Sequence, residues 1–107
     1  MNYEVRLTTQ AENDLRGIFE YIAFVLQSVQ NAAGQLDRLE QSIASLDQMP
    51  ERFRVYENEP WRSRNLHVMP VDNYLVFYIP NHEEQTVHIM RVMYGGRDAD
   101  RQLNQLL

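Results

Sequence analysis

Between residues 73 and 79 the chain reads Asn-Tyr-Leu-Val-Phe-Tyr-Ile, and Pro80 follows. Six successive apolar or aromatic positions leave no polar face, which predicts a central strand with little solvent on either side. Pro80 cannot donate to a sheet ladder, so the strand ends at Ile79. Upstream, Tyr3, Val5 and Leu7 alternate with Glu4 and Arg6, predicting a half-buried strand over residues 2–7. Thr9 and Glu12 stand at capping-box spacing, and Leu15, Ile18, Phe19, Ile22 and Leu26 follow at helical intervals. A first helix is therefore expected over residues 9–26. A weak break at residues 27–30 contains neither Gly nor Pro. A second helix starts near Asn31, with Leu36, Leu39, Ile43 and Leu46 on one stripe. Its two heptads are too few for a coiled-coil seam, so the pair reads as an antiparallel hairpin over a sheet.

Met49-Pro50 ends the second helix, and residues 51–60 read as a charged connecting loop with interleaved aromatics. Alternation resumes over residues 62–69, and Pro70-Val71-Asp72-Asn73 turns the chain into the central strand. A hairpin turn at residues 81–84 leads to a last strand over residues 87–94. There Val87, Ile89, Arg91 and Met93 share one face and His88, Met90, Val92 and Tyr94 the other. Both faces are mostly apolar, so the pattern does not say which one the helices cover. Gly95-Gly96 breaks the strand, and residues 97–106 form a short tail with helical character. The result is an α+β domain spanning residues 1–107 in the order β-α-α-β-β-β. An antiparallel meander takes the first strand at an edge, a helical hairpin covers one face, and the other face is left open.

Composition narrows the function classes. The chain has 107 residues, no cysteine and a net charge of -5, which argues against a general nucleic-acid binder. Disulfide and thiolate chemistry are excluded, in keeping with a reducing cytoplasm. No apolar run approaches transmembrane length, and Met1-Asn2-Tyr3-Glu4 shows no signal-peptide pattern. The first fifty residues hold three Arg against seven acids. The remainder holds seven Arg against eight. All basic residues are Arg, and residues 60–71 contain Arg62, Arg64 and His67 without a carboxylate. Guanidinium groups suit phosphate or carboxylate recognition. Arg64, His67 and Arg97 are thus candidate catalytic residues, with His67 or Tyr94 available for proton transfer. Arg62, Arg91 and Tyr94 are candidate target-binding residues. The competing reading makes these solvated charges paired to Glu57, Glu59, Asp72 or Asp98. The three His lack metal-site spacing, no Gly-rich loop opens a helix, and no nucleophile elbow is present. No metal or cofactor is expected. Trp61 reads either as a partner anchor or as packing over its loop.

Tyr3-Glu4-Val5-Arg6-Leu7-Thr8, Ala11, Asp14-Leu15, Tyr21-Ile22, Leu46 and Pro50 resemble the RelE/ParE superfamily of bacterial toxins. So do Arg64-Asn65-Leu66, the stretch from Asn73 to Tyr78, and Arg91-Val92-Met93-Tyr94-Gly95-Gly96-Arg97-Asp98. The resemblance spans essentially the whole chain in the right order. It implies the toxin half of a type II toxin–antitoxin pair, bound in a hetero-oligomer by an antitoxin whose C-terminal segment wraps it. RelE-like members are ribosome-dependent, metal-independent mRNA endoribonucleases that use an Arg on the central strand and another after the last strand. Arg97 matches the second position. Leu75 occupies the first, and the late aromatic position falls near Leu103. ParE-like members poison DNA gyrase without catalysis of their own, have a long helical hairpin like residues 9–48, and often end near an Arg-Asp pair such as Arg97-Asp98. The resemblance therefore implies the ParE-like branch, with the nuclease, or a degenerate binding module without toxicity, as alternatives.

Overall fold

The computed structural model describes residues 2–96 and 98–107. Strand β1 (Glu4–Leu7) leads into α1 (Thr9–Glu20), a π-helical turn at Tyr21–Val25, and α2 (Val29–Ala44). Strands β2 (His67–Val71), β3 (Tyr74–Asn81) and β4 (Thr86–Tyr94) follow, and α3 (Ala99–Asn104) closes the chain. The sheet order is β1-β4-β3-β2. The meander is antiparallel, while β1 runs parallel to β4, so the sheet is mixed.

Local chemistry sets the helix ends. The Thr8 hydroxyl oxygen accepts from the Ala11 N–H at 3.1 Å, so the cap lies one residue before the predicted one. The same hydroxyl donates to the Met90 carbonyl, tying the helix start to β4. After Glu20 the helix widens, and the Leu26 N–H reaches the Tyr21 carbonyl at 3.0 Å. Gln27, at φ 56°, reverses the chain where no glycine is available, and Ser28 caps α2 through the Asn31 N–H. At the far end, the Arg52 guanidinium donates to the Gln48 and Met49 carbonyls, satisfying acceptors left over as the helix runs out.

Two cores flank the sheet. On one side α1, α2 and the 3-10 turn after it (Ser45–Asp47) place Ala11, Leu15, Leu39, Ile43 and Leu46 against Val76, Tyr78, Val87, Ile89 and Val92. On the other, Tyr56, Trp61, Leu66 and Leu103 pack on Val68, Phe77 and Met93. The expected open face is therefore closed, by the segment before β2 and by α3. The reason lies in β3 and β4 themselves, whose apolar residues point both ways and need cover on both sides. That second layer also explains why β2 begins at His67 rather than Arg62. Residues 59–65 are turns that drive Trp61 inward, to 2% exposure, with Asn65 at φ 64°.

The regular alternation predicted for β4 fails at one point. Phe77 pairs with Arg91 but Tyr78 pairs with Ile89, so Met90 is an extra residue, a β-bulge. Beyond it Val92, not Arg91, shares the helix-facing core with Val87 and Ile89.

Candidate functional site

β1 ends beside Ile89, which leaves the outer edge of β4 uncovered beyond the bulge. Arg91 occupies this position. Its Nε and Nη2 donate to the two carboxylate oxygens of Asp14 on α1 at 2.7 and 3.0 Å, and a third nitrogen reaches the Gln102 carbonyl on α3. Asp14 also accepts from the Val92 N–H at 2.9 Å, capping the free strand edge. Both side chains of the pair are only 10% exposed. The bulge thus turns Arg91 into a clamp between the two layers.

Around this clamp lies a cavity of about 1170 Å³ between the tip of the helical hairpin and the ends of β3 and β4. Tyr21, Tyr74 and Tyr94 line it. Tyr74 and Tyr94 meet edge to face at 5.8 Å. Burial raises the Tyr74 phenol above its ordinary pKa, helped by the neighbouring Tyr94 and Tyr21. At the exposed margin, Gln35 and Arg38 of α2 both donate to Asp72 at 3.0 and 2.8 Å. The Arg38 hydrogen bond, then that of Gln35, holds the Asp72 carboxyl below the usual carboxylate range. Asn13, Gln30, Asn31 and Asn73 supply amides. Among the described residues every ionic side chain on this lining is already paired, so they offer phenols, amides and apolar surface rather than a free base. Such a lining suits a protein segment.

The other nominated residues lie elsewhere. Arg62 and Arg64 are exposed in the turns before β2, two strands away from β4, and Arg64 rests over the Trp61 ring at 5.3 Å. His67 is 3% exposed, stacked on Tyr78 with centroids 5.4 Å apart, and its Nδ1 pairs with the Asn65 carbonyl at 2.9 Å. At that burial the ring presents almost no surface to solvent. Of the six positions, Arg91 and Tyr94 meet at the groove, Arg62 and Arg64 lie in the turns before β2, His67 is buried, and Arg97 is outside the described residues. The expected pairing of Arg91 with an acid is real, but the acid is Asp14, not any of the four considered. Asp14, Tyr21 and Tyr74 escaped notice as site residues. The available signal was a carboxylate between Ala11 and Leu15, on the margin of an otherwise apolar helix face. Among the described residues no three His, Asp or Glu side chains cluster as metal ligands.

Comparison with known proteins fits this fold. Residues 5–99 match the family model described as the ParE toxin of the type II toxin–antitoxin system, parDE. Among solved structures, a chromosomal ParDE system from P. aeruginosa aligns at TM-score 0.71 and 14% identity, over 86% of this chain and 95% of that one. A mutant of the E. coli toxin RelE in the free state aligns at TM-score 0.67 and 12% identity, over the full length of both. The RelBE2 toxin–antitoxin complex of Mycobacterium tuberculosis gives 0.62 and 23% identity, over 88% of this chain and 99% of that one. At these identities the structural likeness speaks for the fold. No curated protein matches the sequence. With the family model spanning nearly the whole chain, the protein belongs to the ParE toxin family of type II toxin–antitoxin systems.

Proposed function

We propose that this toxin acts in the cytoplasm as a ParE-like poison of DNA gyrase, without catalysis of its own, and is neutralised by a cognate antitoxin. The observation that carries this reading is the dispersal, among the described residues, of the polar groups a ribonuclease would need. RNA cleavage requires a proton-transfer group and transition-state donors converging on one phosphate. Here His67 is buried and Arg91 is bound in a bidentate ion pair. The net charge of -5 also suits a protein target better than a ribosomal RNA surface. Support for the antitoxin comes from the neighbours, several of which are toxin–antitoxin complexes, and from the tyrosine-lined groove. An amphipathic antitoxin segment would order as it buried that surface. On this reading Arg62 and Arg64 are the groups that meet the target.

A paired assay tests it. Purified protein added to gyrase is expected to block supercoiling and accumulate broken DNA, while mRNA on translating ribosomes stays intact. Ribosome-dependent cutting of mRNA with supercoiling untouched would replace this reading with the nuclease. Inactivity in both assays, together with harmless expression, would leave a binding module.

A further inference from the structure

A second groove lies on the far side of the helical pair from the tyrosine groove. It is a crease of about 630 Å³ between α1 and α2. Leu7, Leu15, Phe19, Phe24 and Leu36 supply its apolar surface, and Phe24 is 68% exposed. Its rim is acidic. Glu12, Glu20 and Glu40 border it, all exposed, with Arg16 the one cation on the lining. Among the described residues, none of these four takes part in an ion pair. Three carboxylates against one guanidinium leave this rim with a net negative charge around an apolar floor.

We propose that this crease docks a cationic amphipathic helix from a partner protein, with apolar side chains on the floor and Lys or Arg over the three glutamates. A crease between two packed helices accepts a third by ridge-in-groove packing. From Glu12 to Phe24 it runs roughly 18 Å along α1 and the π-helical turn at about 1.5 Å per residue, the length of a helix of about three turns. The rim decides the sign of the partner. An acidic helix would set like charges against one another, whereas a basic one neutralises the rim and gains rate and register from it. That the partner is the antitoxin rests on the toxin–antitoxin reading above. The antitoxin would then carry a basic face on this segment.

The probe is a fluorescent amphipathic peptide of alternating Leu and Lys at helical spacing, titrated into the full-length protein. Its counterpart carries Glu in place of Lys. The Lys peptide is expected to bind, the Glu peptide at least tenfold more weakly, and added salt to narrow the gap. Combining Glu12→Gln, Glu20→Gln and Glu40→Gln should weaken the Lys peptide about tenfold, the joint effect of three exposed ion pairs. These surface changes should leave the melting transition in place. Phe24→Ala, also exposed, should weaken both peptides alike. Equal binding of the two peptides, no binding of either, or full affinity in the triple variant would each overturn the proposal. So would a dimer in sedimentation that Phe24→Ala dissolves, since a second copy would then fill the crease. Neither antitoxin nor gyrase is present in this assay, so its failure and that of the gyrase assignment are separable.

Discussion

Asp14 does three things with one carboxylate: it neutralises Arg91, fixes the guanidinium between α1 and α3, and caps the Val92 N–H on the free edge of β4. Removing one partner of such a pair leaves a buried charge unmatched, which costs about 3–5 kcal/mol. Asp14→Ala should therefore lower stability by roughly that amount in urea unfolding. Exchanging both members for apolar residues, Asp14→Leu with Arg91→Met, should cost much less, because desolvation of the two charges is relieved together. The residual loss is the orphaned Val92 N–H, worth about 1 kcal/mol. A double variant as unstable as Asp14→Ala would mean that the backbone cap, not the ion pair, carries the effect. Nothing in the spacing of the chain announces this arrangement. Arg91 reads as one more residue of a regular strand, and only the bulge at Met90 takes it out of register.

The secondary elements divide by how their residues are patterned. β1 and the helical pair were legible because burial on one side imposes a period, 2 for β1 and close to 3.6 for α1 and α2, whereas β3 and β4 showed as apolar runs bounded by turn residues. The segment before β2 has no period, yet it forms half of the second core. It does so through a few large side chains, Tyr56, Trp61 and Leu66, held by hydrogen bonds to α3. The Trp61 indole N–H donates to the Asn104 amide oxygen at 3.1 Å, and the Tyr56 hydroxyl donates to Asp100, which also accepts from Asn58. These bonds move both titrations. Burial, then the hydrogen bond to Asp100, pushes the Tyr56 phenol up to about 12. The Tyr56 hydrogen bond, then that of Asn58, holds the Asp100 carboxyl below its usual range. A depressed carboxyl stabilises the fold above its unfolded pKa, about 3.9, and loses that contribution as pH falls through its folded value. A raised phenol contributes below its unfolded pKa, about 10, and loses the contribution as pH rises through about 12. The tether should thus be constant between about pH 5 and 9 and fade on both sides. The stability gap between the protein and Tyr56→Phe, measured by urea midpoints across pH, is expected to follow that plateau and shrink in acid. A gap as wide at about pH 2 as at neutrality would remove Asp100 from the tether.

Taken as a unit, the molecule presents separate surfaces on separate sides. Arg62 and Arg64 belong to the turns of the second layer, across the sheet from the helical pair on which both grooves are largely built. The sequence already hinted at this division in its charge, since seven of the ten Arg fall after residue 50. It could not show that the face between them is filled, because an apolar strand face looks the same whether helix or loop covers it. If the Arg pair meets the target and the hairpin meets the partner, the two activities should come apart by mutation. Arg62→Ala with Arg64→Ala removes exposed charges that form no ion pair among the described residues, and with the Arg64 contact over Trp61 counted, stability should fall by no more than about 1 kcal/mol. Growth inhibition on expression is expected to fall by an order of magnitude or more, while the cationic peptide binds this double variant as tightly as the parent. Conversely, neutralising Glu12, Glu20 and Glu40 should spare growth inhibition and lose peptide affinity. Parallel loss of both properties in either variant, with melting unchanged, would join the two surfaces into one and overturn the division.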